Sequence, residues 1–84
     1  MAEGVFKFRP TEPETLAIML MAWETEDNDP VDTFSRLFSA AMMAGAFINL
    51  TTESFQKIVN ECLPRAHQAM AAHPEIFGQA TRPQ

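Results

Sequence analysis

The chain has 84 residues and a formal net charge of −5, which leaves room for one small helical or mixed domain and no second core. A chain this short buries only about 60–65% of the surface its unfolded form exposes, so such proteins lean on disulfides, metals or self-association. Cys62 is the only cysteine, which closes the intrachain disulfide route and suits a reducing compartment better than a secreted scaffold.

Eight of the eleven acidic residues fall within the first 32 positions. That balance repels phosphate backbones and disfavours direct nucleic-acid binding, while leaving open a basic protein partner or mimicry of nucleic acid. The opening MAEGVFKFRP has no apolar core or cleavage site, so no secretory signal is expected. The longest apolar stretches, Leu16 to Trp23 and Ala40 to Ile48, fall far short of the roughly 20 residues that span a bilayer. The expected setting is the cytoplasm, with no membrane contact. Without a signal, the sequon Asn49-Leu50-Thr51 carries no weight.

In chain order, residues 1–10 alternate weakly around Val5, Phe6 and Phe8 and stop at Pro10, which suggests an extended arm. Helix signals then begin at Thr11-Glu12-Pro13-Glu14: Thr11 can cap, Pro13 suits the first turn, and Glu14 stands in the capping-box position. A first helix over about 12–24 follows, apolar on every side from Leu16 to Trp23. Such a helix has to be covered on more than one side. A polar link from Glu24 to Asn28 leads to Asp29-Pro30, where Asp29 is the expected cap and Asp32 the capping-box partner.

The second helix, 30–47, sets Val31, Phe34, Phe38, Ala41, Met42 and Gly45 on one stripe, widened by Leu37 and Ala44. Its second half is rich in small residues that admit a close neighbour. Thr51 is the expected cap of a third helix over 52–72, with Leu50 as a staple on Phe55. Its stripe, Phe55, Ile58, Val59, Cys62, Leu63, Ala66, Ala69 and Met70, runs unbroken across Pro64. The helix is therefore expected to kink or break there, with the kink favoured. His73-Pro74 ends it, Glu75 to Gly78 can add a turn, and 79–84 reads as a frayed tail. The pattern predicts a single all-α domain over 1–84, a small bundle of three main helices.

No catalytic set emerges. The acidic run Glu24, Glu26, Asp27, Asp29, Asp32 fails as a calcium loop, because Val31 and Asp32 stand where a loop opened at Asp27 needs an oxygen ligand and a glycine. A solvated loop carrying a helix cap accounts for it. His67 and His73, six apart, share no helix face, and Cys62 misses the spacing that would bring it to His67. No metal or cofactor is expected. Gly4, Gly45 and Gly78 are scattered and build no phosphate loop. A helix-turn-helix reading of the last two long helices fails for want of a basic footprint, since Thr52, Glu53, Gln56 and Lys57 carry one positive charge. The chain is expected not to be an enzyme.

What remains is apolar surface. Met19, Met42 and Met70 lie on the stripes, whereas Met21 and Met43 point away from them and, with Ile18 and Phe47, form a candidate exposed patch. The leading expectation is a helical protein-binding module, an adaptor, antagonist or anti-activator of a larger protein, with a homodimer as one form. Its anchors are Ile18, Met21, Trp23, Met43 and Phe47, and its rim Glu24, Glu26 and Asp27. Two alternatives stand beside it: an acidic mimic that fills a basic groove through Glu24 to Asp32, and a structural subunit whose only partner is itself.

Overall fold

A computed structural model of the chain describes residues 6–77. It is all-helical, with α1 at Pro13–Thr25, α2 at Pro30–Phe47, α3 at Thr52–Ala72 and the short α4 at Pro74–Phe77. No strand occurs among the described residues. The three main helices fall where periodicity places them. Phe6 to Arg9 form no regular element. The first residues of the expected arm and the whole of the expected 79–84 tail lie outside the described residues. The chain divides into two compact units, parting between Thr51 and Thr52.

In the first unit α1 packs against α2. Prolines set where both helices begin. The residue before a proline is confined to extended backbone, which is the conformation a helix cap needs. Glu12 accordingly sits at φ −68°, ψ 146° before Pro13, and Asp29 at φ −88°, ψ 117° before Pro30. This corrects the expectation that Thr11 caps α1. Pro13 forces the cap onto Glu12, whose side chain makes no capping bond although its carbonyl accepts from the Leu16 amide at 2.9 Å.

Asp29 behaves as expected, its Oδ1 accepting the Asp32 amide at 2.9 Å. The reciprocal half of the box is not made, because the Asp29 amide donates to the Glu26 carbonyl at 3.0 Å. The Asp29 carbonyl takes both the amide and the hydroxyl of Thr33, at 2.9 and 2.7 Å. Thr33 is thereby satisfied although it is only 3% exposed.

Both helices of this unit end in the same motif. At α1, the amides of Asp27 and Asn28 donate back to Glu24 and Trp23, with both residues left-handed at φ 55° and 62°. At α2, Asn49 and Leu50 donate back to Ala46 and Gly45, with Asn49 at φ 58°. These are paired 5→2 and 6→1 closures that satisfy otherwise orphaned carbonyls, here built on Asp and Asn where glycine is usual. The accompanying apolar contact is also present: a Cβ on Gly45 would lie 3.2 Å from Leu50 Cδ2. Gly45 thus gives Leu50 its seat.

In the second unit α3 contacts α4. α3 runs as one helix through Pro64, not as two. Proline has no amide to offer the Asn60 carbonyl, so the helix passes that turn one bond short. The stripe of half-buried positions, including Phe55, Ile58, Cys62 and Ala66, continues on both sides of the proline and carries the helix across it. His73 precedes Pro74 and ends α3, its amide reaching the Met70 carbonyl at 3.2 Å.

Candidate functional site

Little of the apolar side-chain content of α1 and α2 is enclosed. Their buried positions are all small, Ala22, Thr33 and Gly45, and Ala22 is the one buried apolar residue among those described. Leu16, Met19, Trp23, Leu37 and Met42 are half-buried. Small buried residues bring little apolar area with them.

Periodicity placed Val31, Phe34 and Phe38 on the inward stripe of α2. They are 71%, 63% and 40% exposed, and Phe34 stacks on Phe38 with ring centroids 5.4 Å apart. The reason is geometric. Within its own unit α2 has one neighbouring helix, α1, which covers one side of it, and α2 is apolar over more than one side. Hydrophobic period alone cannot tell a stripe that meets α1 from one that meets something else.

The expected anchors are placed as follows. Ile18 and Met21 are exposed three residues apart on α1, and Met43 and Phe47 are exposed four apart on α2. Each pair therefore sits on one face of its helix. Trp23 is half-buried, and its carbonyl accepts the Asn28 amide at 2.8 Å. Ala40 and Ala44, also exposed, complete with Met43 and Phe47 an i, i+3, i+4, i+7 stripe on α2. Of these alanines, periodicity sets Ala44 at the edge of the opposite stripe and leaves Ala40 among the small residues of the second half. Their spacing to Met43 and Phe47 was the available signal.

The three rim acids differ in kind. Glu24 is exposed and stands in the last turn of α1. Glu26 is the C-cap, and its carboxylate pairs with the Arg36 guanidinium, leaving its side chain 17% exposed. Asp27 holds the left-handed position after the cap. Glu26, Asp27, Asn28 and Asp29 thus form a bonded corner between two helices. The rest of the acidic run caps or solvates that corner: Asp29 caps α2, and Asp32 lies in its first turn.

Among the described residues no group of three or more His, Cys, Asp and Glu side chains comes together as a metal site. Cys62 is a half-buried free thiol. His73 Nδ1 lies 3.3 Å from Glu75 Oε2. The Glu75 carboxyl is held below its ordinary value, first by a backbone hydrogen bond at its own position and then by His73. No described helix is long and apolar enough to cross a membrane. No protein-family model matches the chain, and no curated protein or solved structure matches it significantly.

Proposed function

We propose that the chain is a non-enzymatic helical protein-binding module, an adaptor or antagonist that presents apolar faces of α1 and α2 to another protein. One observation carries this reading: Ile18, Met21, Met43 and Phe47 are 59%, 67%, 74% and 88% exposed, while the buried positions of α1 and α2 are all small residues. Exposed apolar surface on this scale marks a contact site. Methionine suits such a surface because its unbranched, polarizable side chain adapts to a partner's shape. Glu24 and Asp27 supply a solvated acidic edge that favours partners with a basic rim. A cytoplasmic setting belongs to the proposal and rests on the single free thiol.

The acidic-mimic alternative is weakened by the work the acids already do in the corner. A mimic needs carboxylates free to face a basic groove, whereas Asp29 and Glu26 are committed to the Asp32 amide and to Arg36.

The test is an affinity capture from cell lysate with the wild-type chain, Met21→Glu and Met43→Glu, washed at low and high salt. A stoichiometric partner that survives high salt and is lost from either variant supports the apolar-face reading. A partner retained by both variants and released by salt alone refutes it and returns the acidic mimic.

A further inference from the structure

We infer that Met21 and Met43 are an oxidisable pair: a peroxide converts them to sulfoxides ahead of the other described methionines, and the exposed faces of α1 and α2 turn polar while the helices stay in place. The inference rests on the protein-binding reading above and adds its regulation, since a face that works by apolar contact is weakened by that change.

The first observation is how the fold divides its sulfur atoms. Met21 is 67% exposed on α1 and Met43 is 74% exposed on α2. Met19, Met42 and Met70 are half-buried, and so is the free thiol of Cys62. Oxidation by a soluble peroxide follows access to the sulfur, so the two outward thioethers meet the oxidant first.

The second is what the product does at these positions. Hydrogen peroxide delivers one oxygen atom to the thioether sulfur: the O–O bond breaks, an S–O bond forms, the sulfur is oxidised by two electrons and the peroxide is reduced to water. The side chain becomes polar and gains a hydrogen-bond acceptor. At Met21 and Met43 water satisfies that oxygen. The buried positions of the two helices, Ala22, Thr33 and Gly45, carry no sulfur, so their packing admits nothing new. In a partner's apolar pocket the same oxygen loses its water and finds no donor, which opposes binding.

The third is position. Met21 stands three residues from the exposed Ile18 and Met43 four from the exposed Phe47, so each sulfoxide lies beside the neighbouring apolar side chain on one face of its helix. One oxidation on each helix interrupts both faces.

The test exposes the whole chain to hydrogen peroxide and maps each methionine by peptide mass spectrometry over time. Circular dichroism, elution from a hydrophobic-interaction column and the lysate capture are run on the same samples. Met21 and Met43 are expected to convert at least about twice as fast as Met19, Met42 and Met70, with helicity unchanged and earlier elution. A captured partner should bind the oxidised chain at least about 10-fold more weakly, and methionine sulfoxide reductases with a dithiol should restore both elution and binding. The variant Met19→Leu/Met42→Leu/Met70→Leu, which keeps the exposed pair, should respond as the wild type does. Equal or faster conversion of the half-buried methionines overturns the inference, as does helicity lost in step with the exposed pair, unchanged elution, or a triple variant that no longer responds. A partner held equally by the oxidised chain removes the regulation and leaves the binding face standing. A chain that captures no partner removes the binding reading, and the conversion rates and the column then decide the oxidisable pair by themselves.

Discussion

Replacing Asp29 by alanine isolates what the acidic corner contributes to the fold. The side chain accepts the Asp32 amide at 2.9 Å, one of the donors that the first turn of α2 cannot satisfy within the helix. Loss of such a cap costs about 1 kcal/mol, and loss of its charge at the positive end of the helix adds about 0.3–1 kcal/mol. The bonds from the Thr33 amide and hydroxyl to the Asp29 carbonyl survive the change, so they are left out of the sum. A destabilisation of about 1–2 kcal/mol follows, and each kcal/mol lowers Tm by about 4–8 °C in a domain of this size. Asp29→Asn separates the two contributions, because its amide oxygen can still accept the Asp32 N–H while the charge is gone. Thermal denaturation followed at 222 nm should therefore place the wild type highest, Asp29→Asn below it and Asp29→Ala lowest. If the alanine variant melts with the wild type, the capping argument is wrong and the acids of this segment are free for another task.

Further outcomes follow from the other helix ends, from the proline and from the His73–Glu75 pair. Asn49→Ala places an ordinary side chain at φ 58° and should cost about 1 kcal/mol, whereas Asn49→Gly should be tolerated; urea titration of the two variants distinguishes them, and equal losses would refute the backbone explanation. Pro64→Ala returns an amide to the Asn60 carbonyl and should stabilise α3 by up to about 3 kcal/mol; a fall in helicity would show that the proline shapes a needed bend. Since the Glu75 carboxyl is lowered from 4.5, its contribution is present above that pH and lost as pH falls through the lower folded value. Amide protection in α4, measured relative to the intrinsic exchange rate at each pH, should accordingly fall only in acid below about 4.5, and a change confined to neutral pH would contradict the assignment.

The helix positions were legible because their signals are local. Proline at the first position of α1 and α2, Asp29 before Pro30 and the polar breaks after Thr25 and Ile48 each act within a few residues. Where α1 starts was misread by one residue for a reason that is also local: Pro13 constrains Glu12 more strongly than Thr11 can cap. The helix ends were less legible. Asp27, Asn28 and Asn49 occupy left-handed positions usually signalled by glycine, and Asp27 looked like one more member of an acidic run.

Which side of α2 meets α1 was not legible at all. Val31, Phe34 and Phe38 have the period of a buried stripe, and so do Ala40, Met43, Ala44 and Phe47. Only the position of the neighbouring helix decides between two apolar stripes on one cylinder. Exposure at Ile18, Met21, Met43 and Phe47 agrees with their phase relative to the stripes, but phase says nothing of what they touch.

The corner between α1 and α2 has a consequence for how the chain meets proteases. Glu24 to Asp29 is an acid-rich segment, exposed except at Glu26, the kind of loop at which a glutamate-specific protease cuts first. Cleavage needs the substrate drawn out straight in the enzyme's cleft. Here the amides of Glu26, Asp27, Asn28 and Asp29 all donate to carbonyls of the corner or of α1, and two successive residues turn left-handed. Cutting at Glu26 therefore waits on the opening of both helix ends, and the most acidic stretch of the surface becomes one of the better guarded.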